Sequence, residues 1–173
     1  MRRLALFSLL AALTGCASMM RGPVEGMKAP PIEGTDVLGG PVNLADHHGK
    51  VVLLSFWHSH CPPCRALFRR EKALVERFAG RPFVLLGVNA DVELEQARRC
   101  HQQAGLTWAS CWDGPPAKAA DGKDGVGPIC SAWKVDRFPT LFLIDRDGVV
   151  RYKQVGTPAD GALEARIEEL LRK

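Results

Sequence analysis

The chain has 173 residues, of which 46% are apolar and 24% charged, and its formal net charge is +4. This charge is too small for a nucleic-acid-binding protein, and the apolar fraction suffices for one globular core. We therefore expect no nucleic-acid partner. Two of the six cysteines form a Cys-x-x-Cys motif, which is the first pointer to function.

The N-terminal segment predicts export from the cytoplasm. Residues 1–3 are basic and residues 4–13 are apolar, a stretch too short to cross a bilayer as a mature helix. Residues 1–15 are therefore expected to be a signal peptide. The sequence Leu13-Thr14-Gly15-Cys16 resembles the lipoprotein box of bacteria, which implies cleavage before Cys16 and lipidation of that cysteine. An ordinary signal peptide with an incidental Cys16 is the alternative.

Residues 16–28 are small and contain proline and glycine, so they predict a flexible tether between the lipid and a domain at residues 29–173. By the same resemblance, Ala17 after the cysteine favours the outer membrane. The expected location is the bacterial cell envelope, with the protein lipid-anchored and facing the periplasm.

A hairpin and then a buried strand are predicted at the start of the domain. Short extended runs flank Gly39-Gly40, and residues 51–57 form a continuous apolar run. That run stops shortly before Cys61-Pro62-Pro63-Cys64, and helical spacing follows from Arg65 to Phe78. The two cysteines are therefore expected where a core strand meets the first turn of a helix.

This position favours redox chemistry. Unpaired backbone N–H groups and the helix dipole stabilise a thiolate on Cys61, which makes it the expected nucleophile. Cys64 lies three residues further on the same helical face, so it can close a disulfide as the resolving thiol. Pro62 and Pro63 stiffen the pair at little cost, because a first helical turn needs no backbone donor there.

Two other interpretations of the motif are open. A purely structural disulfide over so short a loop would contribute only about 2 kcal/mol. A metal site could use His58 and His60 with the two cysteines. Strand alternation, however, places both histidines on one side while the cysteines turn onto the helix, so we expect dithiol chemistry without a metal or other cofactor.

Beyond this helix, strands and helices alternate. Residues 83–89 predict a second apolar strand, Asp91 is expected to cap a helix reaching about Ala104, and residues 107–112 predict another strand. Such alternation predicts an α/β fold with right-handed crossovers and a mostly parallel central sheet.

Three further cysteines lie in this half of the chain. Cys111 and Cys130 flank a loop rich in Gly, Ala, Lys, Asp and Pro at residues 113–127. Because an exported protein tolerates disulfides, a Cys111–Cys130 bridge is one expectation. A Cys100–Cys111 bridge, or three reduced thiols, are the alternatives.

The C-terminal part completes the pattern. Pro139 precedes a strand at residues 141–145, a turn at residues 146–148 leads into a strand at residues 149–155, and Thr157-Pro158 predicts the start of the last helix.

Together, Phe56-Trp57 and Cys61-Pro62-Pro63-Cys64-Arg65 resemble the thioredoxin-like fold, and within it the TlpA/ResA-like branch of envelope thiol–disulfide oxidoreductases. The resemblance extends from about Ala29 to the C-terminus. It implies an α/β fold with a central mixed sheet flanked by helices, an N-terminal hairpin and an insertion before the short third helix.

The resemblance also assigns site residues. It implies a cis proline at Pro139 that lies against the redox cysteines. Substrate contacts are expected from Trp57, Pro62, Phe138 and Thr140, with the Phe138 backbone serving as an extended edge.

The implied activity is dithiol–disulfide exchange in the direction of reduction. Disulfide-bearing envelope proteins would be the substrates, and a membrane thiol protein would donate electrons. A copper-handling module and a peroxiredoxin-like peroxidase are the alternative functions.

The chain departs from the family at its acids. Thioredoxins carry a buried acid where this chain has Ser55, and ResA-like proteins carry a Glu where it has Leu67. Cys64 then needs water, His60 or an unidentified acid to take its proton. A protonated His60 would also stabilise the Cys61 thiolate, whereas a neutral, solvent-facing imidazole would not.

Overall fold

The computed structural model describes residues 22–115 and 126–173. The expected signal peptide at residues 1–15, Cys16 and the first part of the expected tether therefore lie outside the described residues. So does most of the loop between Cys111 and Cys130.

The described chain forms one sheet with helices on both faces. The strands are β1 (Glu33–Asp36), β2 (Pro41–Asn43), β3 (Val51–Trp57), β4 (Phe83–Asn89), β5 (Ser110–Trp112), β6 (Thr140–Ile144) and β7 (Val150–Val155). The helices are α1 (Pro62–Arg77), α2 (Leu94–Gln103), α3 (Pro128–Trp133) and α4 (Ala162–Arg172), with a single 3₁₀ turn at Leu44–His47. Of these described helices, none has the length and apolar character needed to span a bilayer.

The sheet order is β2-β1-β5-β4-β3-β6-β7, and the predicted mixed α/β fold is confirmed. Parallel pairing joins β3 to β4 and β4 to β5, whereas the hairpin β1–β2 and the strands β6 and β7 pair antiparallel. The expectation of a mostly parallel sheet was therefore wrong, because the hairpin and the β6–β7 turn add antiparallel strands at both edges.

Strand β3 is the centre of the core, and all seven of its residues are buried. Its side chains alternate between two apolar clusters. Leu53 and Trp57 pack with helices α1 and α4, while Leu54 and Phe56 face α3. The redox motif that follows β3 is thus anchored on a strand held from both faces.

Two helix starts differ from the prediction. Helix α2 begins after Glu93, and Asp91 does not cap it, because the Asp91 carboxylate is bonded elsewhere. Helix α4 begins after Gly161, which takes a left-handed conformation at φ 75°, rather than at Thr157-Pro158.

The end of the expected tether packs on the domain. Gly26 N–H donates to the Val150 carbonyl at 2.8 Å, and Val150 N–H donates to the Met27 carbonyl at 2.8 Å. A side chain at Gly22 would meet the Trp133 carbonyl at 2.3 Å. Residues 26–27 are therefore hydrogen-bonded to the folded domain, and the expected boundary at residue 29 stays a prediction. These contacts are hydrogen bonds between backbone groups, so no pattern of side chains in the sequence predicts them.

Cys111 and Cys130 do not form the expected bridge, because both are free thiols. Each sulfur has its own buried surroundings. The Cys111 sulfur lies under Gly34 of β1, 2.7 Å from where a Cβ would stand, and the Cys130 thiol is hydrogen-bonded to Asp113. Burial raises the pKa of Cys111 to about 11 and that of Cys130 further, so neither is a reactive thiol.

Candidate active site

The redox cysteines lie at the N-terminus of α1. Cys61 is the N-cap residue, and its sulfur accepts a hydrogen bond from the Cys64 N–H at 3.1 Å. The two are joined as a disulfide with a Cα–Cα distance of 5.2 Å. Since Pro62 and Pro63 occupy the first two helical positions, they remove no backbone bond that the helix needs. On reduction, the backbone donor and the helix dipole both stabilise a thiolate on Cys61.

Exposure distinguishes the two sulfurs. Cys61 is 5% exposed and Cys64 is 1% exposed, while Pro62 beside them is open to solvent. The first cysteine is therefore the one that an incoming disulfide can reach, and the second reacts from within the core.

Four residues were expected to contact substrate. Two of them are at least partly exposed, and the other two are buried in the core. Pro62 is exposed, and Phe138 is half-buried with its ring edge-on to His58, 5.0 Å between centroids. Trp57 and Thr140 are each 1% exposed. Trp57 packs edge-on against Phe68, and the Thr140 hydroxyl donates to the Arg137 carbonyl at 2.7 Å. Their side chains thus support the site from the core and do not form its surface.

The Phe138–Pro139 peptide is cis, as the resemblance implied for this position. Pro139 itself is buried at the start of β6, and its carbonyl accepts the Gly156 N–H at 2.8 Å. This bond ties the end of β7 to the same corner of the sheet.

Asp91 is a site residue that the sequence reasoning missed. It is 4% exposed and follows β4. Its carboxylate accepts the Ser59 N–H at 3.0 Å, the Ser59 hydroxyl at 2.8 Å and the Asn89 side-chain amide at 2.8 Å. Asp91 therefore holds the loop between β3 and Cys61. The available signal was its place directly after a parallel strand next to β3, where functional side chains collect.

His58 and His60 lie beside Asp91. The side chain of His60 is 71% exposed, and its Nδ1 lies 3.1 Å from the Ser59 hydroxyl and 3.9 Å from Asp91 Oδ1. His58 is half-buried, and burial lowers its pKa while Asp91 opposes this effect. His58 is therefore largely neutral at pH 7.

The structure does not bring together the four metal ligands considered from the sequence. The donors that converge are His58, His60 and Asp91, whose ligand atoms lie within 4.8 Å of one another, while the two cysteines bond each other. The Asp91 oxygens already accept three donor groups, so a metal would have to displace hydrogen bonds that hold the loop.

A buried acid is the second missed residue. Glu71 of α1 is 1% exposed and accepts a hydrogen bond from Ser55 of β3. Burial raises its pKa to about 7. It lies one helical turn beyond Leu67 and hydrogen-bonds Ser55, the two positions where ResA-like proteins and thioredoxins carry their acid. The spacing of Cys64, Leu67 and Glu71 on one helical face was the signal for it.

The comparisons with known proteins agree with this geometry. Residues 24–171 match the Redoxin family. The thiol-disulfide oxidoreductase ResA of Geobacillus kaustophilus is 28% identical over 175 residues, covering 98% of this chain and 94% of that protein. The protein of the same name from Bacillus anthracis is 28% identical over 145 residues, covering 84% of this chain and 78% of the relative.

A solved structure with the same fold is a candidate thiol:disulfide interchange protein DsbE from Chlorobium tepidum. The two chains superpose with a TM-score of 0.73 at 31% identity, and the match covers 86% of this chain and 99% of the other.

Proposed function

Since the chain belongs to the Redoxin family, we propose that it catalyses thiol–disulfide exchange on proteins through Cys61 and Cys64. The observation that carries this function is the Cys61 sulfur at the N-cap of α1, bonded to Cys64 and accepting its backbone N–H. The ResA-named relatives are thiol-disulfide oxidoreductases and align along most of the chain.

The reaction proceeds in two displacements. The Cys61 thiolate attacks one sulfur of a substrate disulfide, and the other substrate sulfur leaves as a thiolate. The Cys64 thiolate then attacks Cys61 in the mixed disulfide and releases the second substrate sulfur. The substrate gains two electrons, and the cysteine pair is left oxidised, as in the structure.

We assign the direction as reduction, the location as the cell envelope and the anchor as a lipid on Cys16. The signal-like residues 1–15, the lipoprotein-box resemblance at Leu13-Thr14-Gly15-Cys16 and Ala17 support the location, with the outer membrane favoured. The resemblance to the TlpA/ResA-like branch supports the direction. The substrates are then disulfide-bearing envelope proteins, and a membrane thiol protein re-reduces the pair.

The first test is insulin reduction with dithiothreitol as the electron source. We expect Cys61→Ser to abolish the catalysed rate and Cys64→Ser to stop turnover while still forming adducts through Cys61. Cys100→Ser, which alters a half-buried thiol on α2, is the matched control and should keep full activity. Insulin reduction that continues in Cys61→Ser would contradict the proposal.

Trapping in cells tests substrates and location together. Cys64→Ser should accumulate mixed disulfides with exported proteins, and these should disappear in Cys61→Ser. Metal analysis of the purified protein and a peroxide-reduction assay address the copper and peroxidase alternatives. Stoichiometric copper without adducts, or peroxide turnover without insulin reduction, would replace the proposed function.

A further inference from the structure

Helix α1 carries an acid on the face that it packs against β3. Its buried residues are Cys64, Leu67, Phe68, Glu71 and Leu74. Glu71 takes part in none of the ion pairs formed by the described residues, so no opposite charge offsets its burial. An ionised carboxylate in such a place is costly, and a protein retains one chiefly where a proton has to be exchanged.

Glu71 lies over a layer of polar groups inside the core. Its carboxyl accepts one hydrogen bond from Ser55, while Oε1 has no partner within residues 22–115 and 126–173. Ser55 is in register with Gly87 of β4, which is in register with Ser110 of β5. A Cβ on Gly87 would stand 2.2 Å from the Ser110 hydroxyl and 3.1 Å from Trp57 Nε1, and neither of these atoms has a hydrogen-bond partner in the part of the chain that the structure describes. Polar side chains of β3 and β5 thus lie close together over Gly87 of β4.

Cys64 has to lose a proton during the exchange, and the polar layer contains a group that can accept it. The backbone donor at the helix N-terminus points to the Cys61 sulfur, and Cys64 is 1% exposed. A buried thiol holds its proton tightly, yet Cys64 has to become a thiolate before it can resolve the mixed disulfide. An acceptor close to the buried sulfur would meet this need.

We propose that Glu71 takes the proton of the Cys64 thiol in the second half of the exchange, with Ser55 holding its carboxyl in place. This inference rests on the proposed function. Glu71 is the proton acceptor for Cys64, and Ser55, which acts through Glu71, is the positioning residue.

The Cys64 S–H bond breaks and its proton goes to the Glu71 carboxylate, while the sulfur keeps the electron pair. That pair forms the Cys64–Cys61 bond, and the Cys61–substrate S–S bond breaks with its pair leaving on the substrate sulfur. The substrate thiolate takes a proton from solvent, and Glu71 later returns its proton to solvent.

Titratable groups on the neighbouring helices have other partners or surroundings. On α2, the His101 Nε2 is bonded to the Trp108 carbonyl at 2.9 Å, and burial raises the pKa of Cys100. On α4, Glu164 is paired with Arg70 at 2.8 Å. Burial raises the pKa of Glu71, and the hydrogen bond from Ser55 lowers it in part.

The test uses reduced protein and one equivalent of dithiobis(nitrobenzoate), because the attack of Cys61 releases one coloured thiolate and resolution by Cys64 releases the second. We compare the wild type with Glu71→Gln, and use Glu76→Gln as the control because Glu76 is exposed on the same helix. Glu71→Gln should leave the first release unchanged at pH 7 and slow the second about 100-fold. Glu76→Gln should change neither.

The pH profile separates proton transfer from a structural role. In the wild type, the second release should rise through an ionisation near neutral pH, and in Glu71→Gln it should rise only in proportion to hydroxide. An unchanged profile, or equal slowing of both releases, would overturn the inference. Absence of the first release would instead overturn the proposed function.

A second variant covers the case in which Glu71→Gln does not fold. Ser55→Ala keeps the acid and removes the hydroxyl that holds it, so it should slow the second release alone. If Ser55→Ala leaves both releases at the wild-type rate, Ser55 does not position the acid and the inference fails.

Discussion

At the scale of single residues, the two sulfurs of the motif differ by what surrounds them. Cys61 has the Cys64 N–H aimed at it and is 5% exposed, whereas Cys64 is 1% exposed. The same motif therefore contains one sulfur prepared to attack and one that needs help to ionise. The neighbours of each sulfur, more than the cysteines themselves, set the order of the reaction.

His60 gives a prediction at this scale. If the His60 imidazolium stabilises the Cys61 thiolate, His60→Ala should raise the pKa of Cys61 and slow its alkylation by iodoacetamide about twofold in mildly acidic buffer. The effect is small because the His60 side chain is 71% exposed, so solvent screens its charge.

His48→Ala is the control, since His48 is exposed in the turn before β3. Identical alkylation rates across pH in the wild type and His60→Ala would assign His60 to the solvent-facing, neutral alternative.

At the scale of elements, the end of β4 supports the junction between β3 and α1. Asp91→Ala would leave the Ser59 N–H and the Asn89 amide without their acceptor, so we expect a loss of about 2 kcal/mol in the free energy of unfolding. Insulin reduction should fall as well, because the loop that presents Cys61 loses its brace. Urea denaturation and the insulin assay measure the two effects.

Glu93→Ala is the matched control for Asp91→Ala. Glu93 is the exposed N-cap of α2 and makes no side-chain capping bond, so its loss should change stability by less than about 0.5 kcal/mol. If Asp91→Ala had the same free energy of unfolding as the wild type, the carboxylate would not stabilise the loop.

At the scale of the whole molecule, one buried acid makes stability depend on pH. The pKa of Glu71 is about 7 in the folded protein against an ordinary 4.5, so the folded state binds more protons between these values. Its stabilising effect is complete below about pH 4.5 and is lost as the pH rises to 7. Glu71→Gln should remove this loss, worth on the order of 3 kcal/mol.

The measurement is urea denaturation of the oxidised protein at several pH values, because the disulfide then prevents Cys64 from titrating. The gap between Glu71→Gln and the wild type should widen between pH 4.5 and 7, the two pKa values that define the window. If the free energy of unfolding changed with pH in the same way in the two proteins, Glu71 would not carry a proton in the folded state. Glu76→Gln, exposed on the same helix, should follow the wild type.

The sequence by itself determined the parts of the site that are close along the chain. A continuous apolar run predicts β3, and the two prolines between cysteines predict the start of α1, because both signals act through the local backbone. The dithiol, its place at the strand–helix junction and the alternation of strands and helices were predictable for this reason, whereas the mixed sheet came from the family resemblance.

Only the tertiary structure decided which distant side chains join the site. Asp91 reaches Ser59 across 32 positions, and Glu71 reaches Ser55 from a different element. The packing of residues 26–27 beside β7 and the separate burial of Cys111 and Cys130 are of the same kind. Such contacts depend on which elements become neighbours in the sheet, and residue spacing along the chain carries little information about that.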